Sequence, residues 1–356
     1  MGNLNVLFLV AGGSGGHILP ALQLGKKWLN QNPEGKIIFF CSNKKLDKEI
    51  TRKNSFLDKI VGLKLQNFPG KKFWFYPQFL VQLMVAVFKS FYYLFTYKPS
   101  KILSTGGYIA VPLCVVARLF KTEIELYELN VVPGRAVKAL LPFAQKIFIT
   151  FENTKFFLRN RMRNFSHKCT QKNYPVRFAE QDKIFDKKML IKEVNKTYGC
   201  DFSEDKKTIF LLGGSQGSVF LNDVFKSWLL KNKSLLSKIQ VIHQTGEADQ
   251  VDWQKFYKQL GLPAVVFAYH EDIKDFYLLA DLVISRAGAG TLFELEFFQK
   301  RSLIIPLKSA YTDHQVDNAF EMVQRNPDLF SSHDQDDIKR DFSVFDNKMI
   351  QLFCGD

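Results

Sequence analysis

Cysteine is scarce in this chain of 356 residues, and the five present (Cys41, Cys114, Cys169, Cys200 and Cys354) include no C-x-x-C pair. A disulfide-stapled scaffold and a zinc cluster of ordinary spacing are thereby excluded, and free thiols in a reducing compartment are expected. The chain has no short-period repeat and no low-complexity tract, and its 46% apolar content is that of a globular protein. No Lys or Arg precedes the apolar run at 6–11, which is too short for a secretory signal and leads straight into glycines, so a cytoplasmic chain is expected. Acidic side chains are few in the first half. Residues 1–178 hold 8 of them against 27 basic ones, a net of +19, whereas 179–356 hold 27 against 22, a net of −5. One half should therefore meet something anionic. Nucleic acid is not the expected partner, because the basic residues are spread without interleaved aromatics.

The length exceeds what one hydrophobic core usually serves, so two domains are expected. The opening reads as a buried parallel strand at 5–11, a glycine turn and a helix over 20–30. Further strands are predicted at 36–41, 101–104, 123–128 and 146–150, with helical patterns between them. The pattern then restarts with a strand at 207–212, a second glycine turn and a helix from Val219. Strands follow at 240–243, 264–267, 282–285 and 302–306. Alternating strand and helix predicts α/β domains with parallel sheets. Pro175 and its polar neighbours place the seam near 171–177, giving domains of 1–172 and 173–356. The last forty or so residues are polar and weakly periodic, and are expected to be no more than a short helical tail.

Residues 73–97 stand apart. From Gln78 to Tyr97 the only charge is Lys89, and Gln78, Gln82, Lys89 and Thr96 fall on one narrow helical stripe. Lys71 and Lys72 precede it, with Trp74 and Tyr76 as interfacial aromatics. Three readings compete: a core helix, a helix with one face dipped into a bilayer surface, and a transmembrane span. The basic charge of the same half favours the second, since the two attractions together anchor better than either alone.

Several turns could carry chemistry. In Gly12-Gly-Ser-Gly-Gly-His17, bare glycines let backbone N–H groups approach an anion and the next helix adds partial positive charge. The dinucleotide fingerprint fails at Ile18, no acid follows the second strand, and no Walker lysine is present. His17 is either a general base or a structural residue that packs the turn. Gly213-Gly-Ser-Gln-Gly217 is a second anion cradle or a purely steric turn. In Ser285-Arg-Ala-Gly-Ala-Gly-Thr291 the N–H groups of 289–291 could hold a phosphate ahead of a helix starting near Thr291. Glu294 there is either a sugar-diol acceptor or a capping-box acid with Thr291. Asp313-His-Gln315 and Asn318 suit sugar hydroxyls or are solvated loop residues. Asp334-Gln-Asp336 has the form of a D-x-D metal signature but lies in the polar tail and reads as a solvated charge run, so no metal is expected.

Taken in order, these turns are far more specific than any one alone. They are joined by Thr105-Gly-Gly-Tyr108 with Pro112, Glu128-Leu-Asn130 with Pro133-Gly134, Tyr174-Pro-Val-Arg177 and His243-Gln-Thr-Gly246. From about residue 5 to about residue 320 the series resembles the MurG family, peptidoglycan glycosyltransferases of the GT-B architecture. The resemblance implies two Rossmann-like domains with parallel sheets facing a central cleft. It implies inverting transfer of N-acetylglucosamine from UDP-N-acetylglucosamine to the 4-hydroxyl of a lipid-linked muramyl-pentapeptide, with no cofactor, by a peripheral enzyme on the cytoplasmic face of the membrane. The basic half and residues 73–97 would meet the anionic membrane surface.

By the same resemblance Ser14, Gly15 and Gly16 lie beside donor sugar and acceptor pyrophosphate, and Asn130 beside the donor sugar. Arg177 contacts the donor, Ser215 meets a phosphate and His270 falls at the uracil position. Ala289, Gly290 and Thr291, continuing through Leu292 and Phe293, hold the diphosphate; Glu294 grips the ribose and Gln315 reads the sugar. His17 is the expected base. The family usually has Thr where Ser14 stands and His and Gln where Tyr127 and Leu129 stand, and the region after Asn318 is shorter than usual. Two alternatives remain at this stage: another nucleotide-sugar enzyme of the same fold, such as a UDP-N-acetylglucosamine epimerase or a different lipid-linked glycosyltransferase, and a non-catalytic membrane-bound scaffold.

Overall fold

The structure is a computed structural model that describes residues 5–354 apart from 14, 67, 71, 72, 160–163, 215, 216 and 309–313. The chain divides into two units, Met1–Arg177 and Phe178–Asp356. Both are built from short apolar strands. β1 (Val6–Val10) reads VLFLV and is buried throughout, which requires cover on both faces and therefore suits a parallel sheet.

The first unit continues with β2 (Lys36–Ser42), β3 (Lys59–Leu63), β4 (Lys101–Ser104), β5 (Glu123–Glu128), β6 (Lys146–Ile149) and β7 (Cys169–Gln171). All seven are parallel, in the order β3-β2-β1-β4-β5-β6-β7. The second unit holds β8 (Lys207–Leu212), β9 (Ile239–Gln244), β10 (Ala264–Phe267), β11 (Leu282–Ser285), β12 (Ser302–Ile304) and β13 (Phe330–Ser332), also parallel, in the order β10-β9-β8-β11-β12-β13. Each unit thus repeats the 3-2-1-4-5-6 order of a dinucleotide-binding sheet. In such a sheet ligands bind at the carboxyl ends of the strands, where the order reverses. That point lies between β1 and β4 in one unit and between β8 and β11 in the other, and the glycine turns follow β1, β8 and β11.

β3, β7 and β13 lie outside the strands expected from sequence. All three are edge strands, and β7 and β13 are only three residues long. The C-terminal residues are helical as expected, but they are part of the core and not a tail. Helices Gln335–Arg340 and Ser343–Cys354 close the second unit, and Ile338, Phe345, Met349 and Phe353 are buried in its core with Ile209, Trp228 and Leu303. Phe345, Met349 and Phe353 sit at helical i, i+4, i+8 spacing. Among the described side chains Cys41, Cys114, Cys169 and Cys200 are free. Burial pushes the Cys41 and Cys114 thiols up to about 11 and about 12, which keeps them protonated.

Candidate active site

At the switch point of the first unit, the helix Gly15–Gln31 begins inside the glycine turn, five residues earlier than the sequence pattern suggested. Gly15, Gly16 and His17 therefore form its first turn. His17 Nδ1 lies 2.8 Å from the Thr105 carbonyl oxygen, and the Thr105 hydroxyl donates to the His17 carbonyl at 2.7 Å. A carbonyl can only accept, so Nδ1 carries the hydrogen and the lone pair of the neutral ring resides on Nε2. The loop after β4 is thus locked to the loop after β1. Gly107, at φ +91°, sits against the main chain of Gly12: a Cβ there would lie 2.4 Å from the Gly12 carbonyl oxygen. Gly107 is there because two backbones touch, whereas Gly106, at φ +104°, lies against the His17 ring.

Two buried carboxylates that sequence reasoning missed brace these loops. Asp47, on the helix Lys45–Arg52, accepts from the Gly13 N–H at 2.9 Å and from the Ser42 hydroxyl at 2.6 Å through Oδ2. The Gly13 amide is therefore committed to Asp47 and does not face a ligand. Glu128, at the end of β5, accepts the N–H groups of Leu129 and Asn130 and the Asn130 side-chain amide on Oε1, and the Gly134 N–H on Oε2, at 2.9–3.2 Å. It fixes the loop that presents Asn130, whose carbonyl also accepts from Thr154 Oγ1 at 3.0 Å. Burial pushes the Glu128 carboxyl up to about 7 against the downward pull of those donors. Tyr127 and Leu129, the departures from the family pattern, are buried hydrophobic neighbours of this loop. Nothing in sequence separates a buried carboxylate from a solvated one, although Glu128 stands directly before the Leu-Asn and Pro-Gly of its motif.

In the second unit the turn after β8 shows the same backbone contact. Gly217, at φ +74°, would place a Cβ 2.3 Å from Gly246 Cα, and Gln244 Nε2 donates to the Gly214 carbonyl at 2.5 Å. His243-Gln-Thr-Gly246 serves to seat this turn. His243 is buried and bonded to Tyr257 Oη at 2.8 Å and Asn222 Oδ1 at 3.0 Å, and burial lowers it to about 3, so it stays neutral.

The helix after β11 runs Ala289–Phe297 with Gly288 as its N-cap, and no side chain caps it. It starts two residues before the expected Thr291. The capping-box reading of Glu294 therefore fails: the residue lies in the second turn, and its carboxylate accepts from the buried Tyr277 hydroxyl at 2.9 Å. Ala289, Gly290 and Thr291 carry the first-turn amides, which lack intrahelical acceptors. Leu292 and Phe293 have buried side chains, so only their backbone could meet a ligand.

Gln315, on the helix His314–Arg325, accepts from the Leu307 N–H at 3.0 Å. Asn318 is buried and donates to the Ala287 carbonyl at 3.2 Å, so it is no solvated loop residue. His270 packs its ring against Phe267 and Phe276, with Tyr198 Oη 3.4 Å from Nε2. Arg177, half-buried, ends the first unit directly after the turn closed by Val176 N–H to the Tyr174 carbonyl. Asp334 caps the helix Gln335–Arg340 by accepting the Asp336 N–H, which gives the D-x-D run a structural task in place of the expected solvation alone. Ser14, Ser215 and Asp313 lie outside the described residues.

The helix Tyr76–Tyr97 has three faces. Ala86, Ser90 and Leu94 are buried, with Phe79, Leu83, Val87, Tyr93 and Tyr97 packed beside them on the first core. The polar stripe is partly spent on β3 and the segment after it: Gln82 Oε1 accepts the Gln66 N–H at 2.9 Å and Lys89 Nζ donates to the Gly62 carbonyl at 3.4 Å. The third face is bare and apolar, with Leu80, Met84, Phe88, Phe91 and Phe95 along it and Trp74, 93% exposed, at its start. Leu119 of the adjoining segment extends it, and Phe91 meets the Phe120 ring with centroids 5.2 Å apart. The core-helix reading thus holds for one face alone, since only 17% of the most apolar 18-residue window is buried. The segment Phe73–Tyr97 is long and apolar enough to cross a membrane by length and composition. A spanning orientation would strip the Ala86–Leu94 seam from its core.

Residues 7–149 match the glycosyltransferase family 28 N-terminal domain and residues 208–337 match the glycosyltransferase family 28 C-terminal domain, which defines the class: a two-domain family 28 glycosyltransferase. The UDP-N-acetylglucosamine--N-acetylmuramyl-(pentapeptide) pyrophosphoryl-undecaprenol N-acetylglucosamine transferase of Thermodesulfovibrio yellowstonii is 32% identical over 90% of this chain and 83% of its own. The enzyme of the same name from Pelagibacter ubique is 29% identical over 88% and 80%. The crystal structure of Acinetobacter baumannii MurG shares the fold, with a TM-score of 0.68 at 21% identity over 98% of this chain and 90% of that one. The chain belongs to this family of N-acetylglucosamine transferases, the MurG family.

Proposed function

We propose that the chain transfers N-acetylglucosamine from UDP-N-acetylglucosamine to the 4-hydroxyl of undecaprenyl-pyrophosphoryl-N-acetylmuramyl-pentapeptide in peptidoglycan synthesis. The observation that carries this reading is His17, held by Thr105 at the switch point with Nε2 as its basic nitrogen. His17 Nε2 takes the hydroxyl proton as the oxygen attacks the anomeric carbon. The bond from that carbon to the UDP oxygen breaks with its electron pair, so configuration inverts. Negative charge then grows on the diphosphate. The amides of Ala289, Gly290 and Thr291 at an uncapped helix start suit it, assisted by Arg177 and Ser215. Asn130 and Gln315 read the donor sugar, Glu294 the ribose, and the backbone at His270 the uracil. Ser14, Gly15 and Gly16 lie beside the donor sugar and the acceptor pyrophosphate. The second unit (173–356 by motif) binds the donor, and the first (1–172) binds the acceptor and the bilayer.

The bare apolar face of Tyr76–Tyr97, on the half carrying +19, supports peripheral attachment to the anionic cytoplasmic surface where the lipid-linked acceptor resides. The test is transfer of labelled N-acetylglucosamine to a short-chain acceptor analogue without added metal. His17→Ala should lower kcat about 10²- to 10⁴-fold. Unchanged turnover in that variant would remove His17 as base, and epimerisation of the donor without acceptor would overturn the transferase reading.

A further inference from the structure

Arg286, the first residue after β11, is 7% exposed, a charged side chain almost wholly out of water. Its Nε and Nη2 donate to the Ser218 hydroxyl oxygen at 3.1 and 2.8 Å, Nη1 to the carbonyls of Ile305 and Pro306 at 3.0 and 3.4 Å, and Nη2 also to Gln335 Oε1 at 2.7 Å. Every acceptor is neutral, and among the described residues no carboxylate forms an ion pair with it. Burial pulls its pKa down to about 10. A guanidinium of this kind is expensive to bury. Its fork ties together the start of the helix Val219–Lys231, the two residues after β12 and the helix Gln335–Arg340, but a neutral side chain of similar reach could do the same without the desolvation cost.

The location of the charge explains its retention. Arg286 stands three residues before the uncapped helix Ala289–Phe297 and clasps the last residue of the turn after β8. Ser218 Oγ accepts two N–H groups from Arg286 and that of Leu221 at 3.4 Å, so its own hydrogen must point to a different acceptor, and none is found among the described residues.

We propose that Arg286 is a positioning residue for the donor's diphosphate: it supplies the buried counter-charge and orients the Ser218 hydroxyl to donate a further hydrogen bond to that anion. This rests on the reading above that the 289–291 turn holds a nucleoside diphosphate.

The experiment is equilibrium binding of UDP and of uridine to the full chain, at two salt concentrations. The wild-type chain should bind UDP far more tightly than uridine. Ser218→Asp keeps the helix cap and gives Arg286 an ion-pair partner. It should preserve or raise the melting temperature yet lower UDP affinity at least ~10-fold, leaving uridine unchanged. Arg286→Lys should fall between wild type and Arg286→Met, and Ser218→Asp carries the test if the Met variant does not fold. A wild-type UDP-to-uridine ratio retained in both Ser218→Asp and Arg286→Lys overturns the proposal while leaving the donor reading standing. A wild-type ratio near one overturns both.

Discussion

Replacing Phe88 and Phe95 by serine tests the bilayer reading most directly. Both rings lie on the bare face of the helix Tyr76–Tyr97, 73% and 63% exposed, so the double variant removes little from the first core and should melt within ~2 °C of wild type. Full burial of such a side chain is worth about 1.5–3 kcal/mol. Scaled by exposure and by partial immersion at an interface, each ring contributes about 1–2 kcal/mol. Together they amount to about 2–4 kcal/mol, or a ~30- to 1,000-fold loss of vesicle affinity. Sedimentation with anionic vesicles reads this. Wild-type protein should also bind less at high salt, because screening weakens the pull on the +19 half. Turnover of an acceptor embedded in vesicles should fall in parallel, whereas turnover of a soluble short-chain analogue should not. Vesicle binding equal to wild type would refute the assignment of this face.

Gly107→Ala adds about 1–2 kcal/mol of backbone strain at φ +91° and drives a methyl into the Gly12 carbonyl, so the first glycine turn must shift. A shift of that kind should cost kcat ~100-fold in a steady-state assay, and a loss below threefold would show the contact to be dispensable. Burial raises Glu128 from 4.5 to about 7, so the folded state holds its proton more tightly than the unfolded one. The stability this gives is complete below pH 4.5 and is lost as pH rises through 7, a change of about 3 kcal/mol. Urea titrations at pH 5 and 8 should show that slope in wild type, and a flatter one in Glu128→Gln. Met349→Ala, emptying a fully buried position, should cost about 2–5 kcal/mol in the same titration.

Strands with continuous Val, Ile, Leu and Phe could be read from sequence because burial on both faces leaves no polar residue in them. β3 (KIVGL) and β7 (CTQ) could not, since an edge strand may carry Lys, Gly or Gln on its open side. The core packing of the C-terminal helices was hidden by surrounding Asp and Lys, although the spacing of Phe345, Met349 and Phe353 was in plain view. The turns of the candidate site were legible as motifs, because glycine marks places where backbones touch. What braces them was not: Asp47, Glu128 and Arg286 are ordinary charged letters until folding removes their water.

The seam of Ala86, Ser90 and Leu94 rivets the bare helix face to a rigid sheet. A bilayer that receives that face therefore sets the tilt of the first unit, leaving it free only to spin and glide in the plane. On the proposed reading, meeting a lipid-borne sugar would be a two-dimensional search in which the first unit is always presented the same way up.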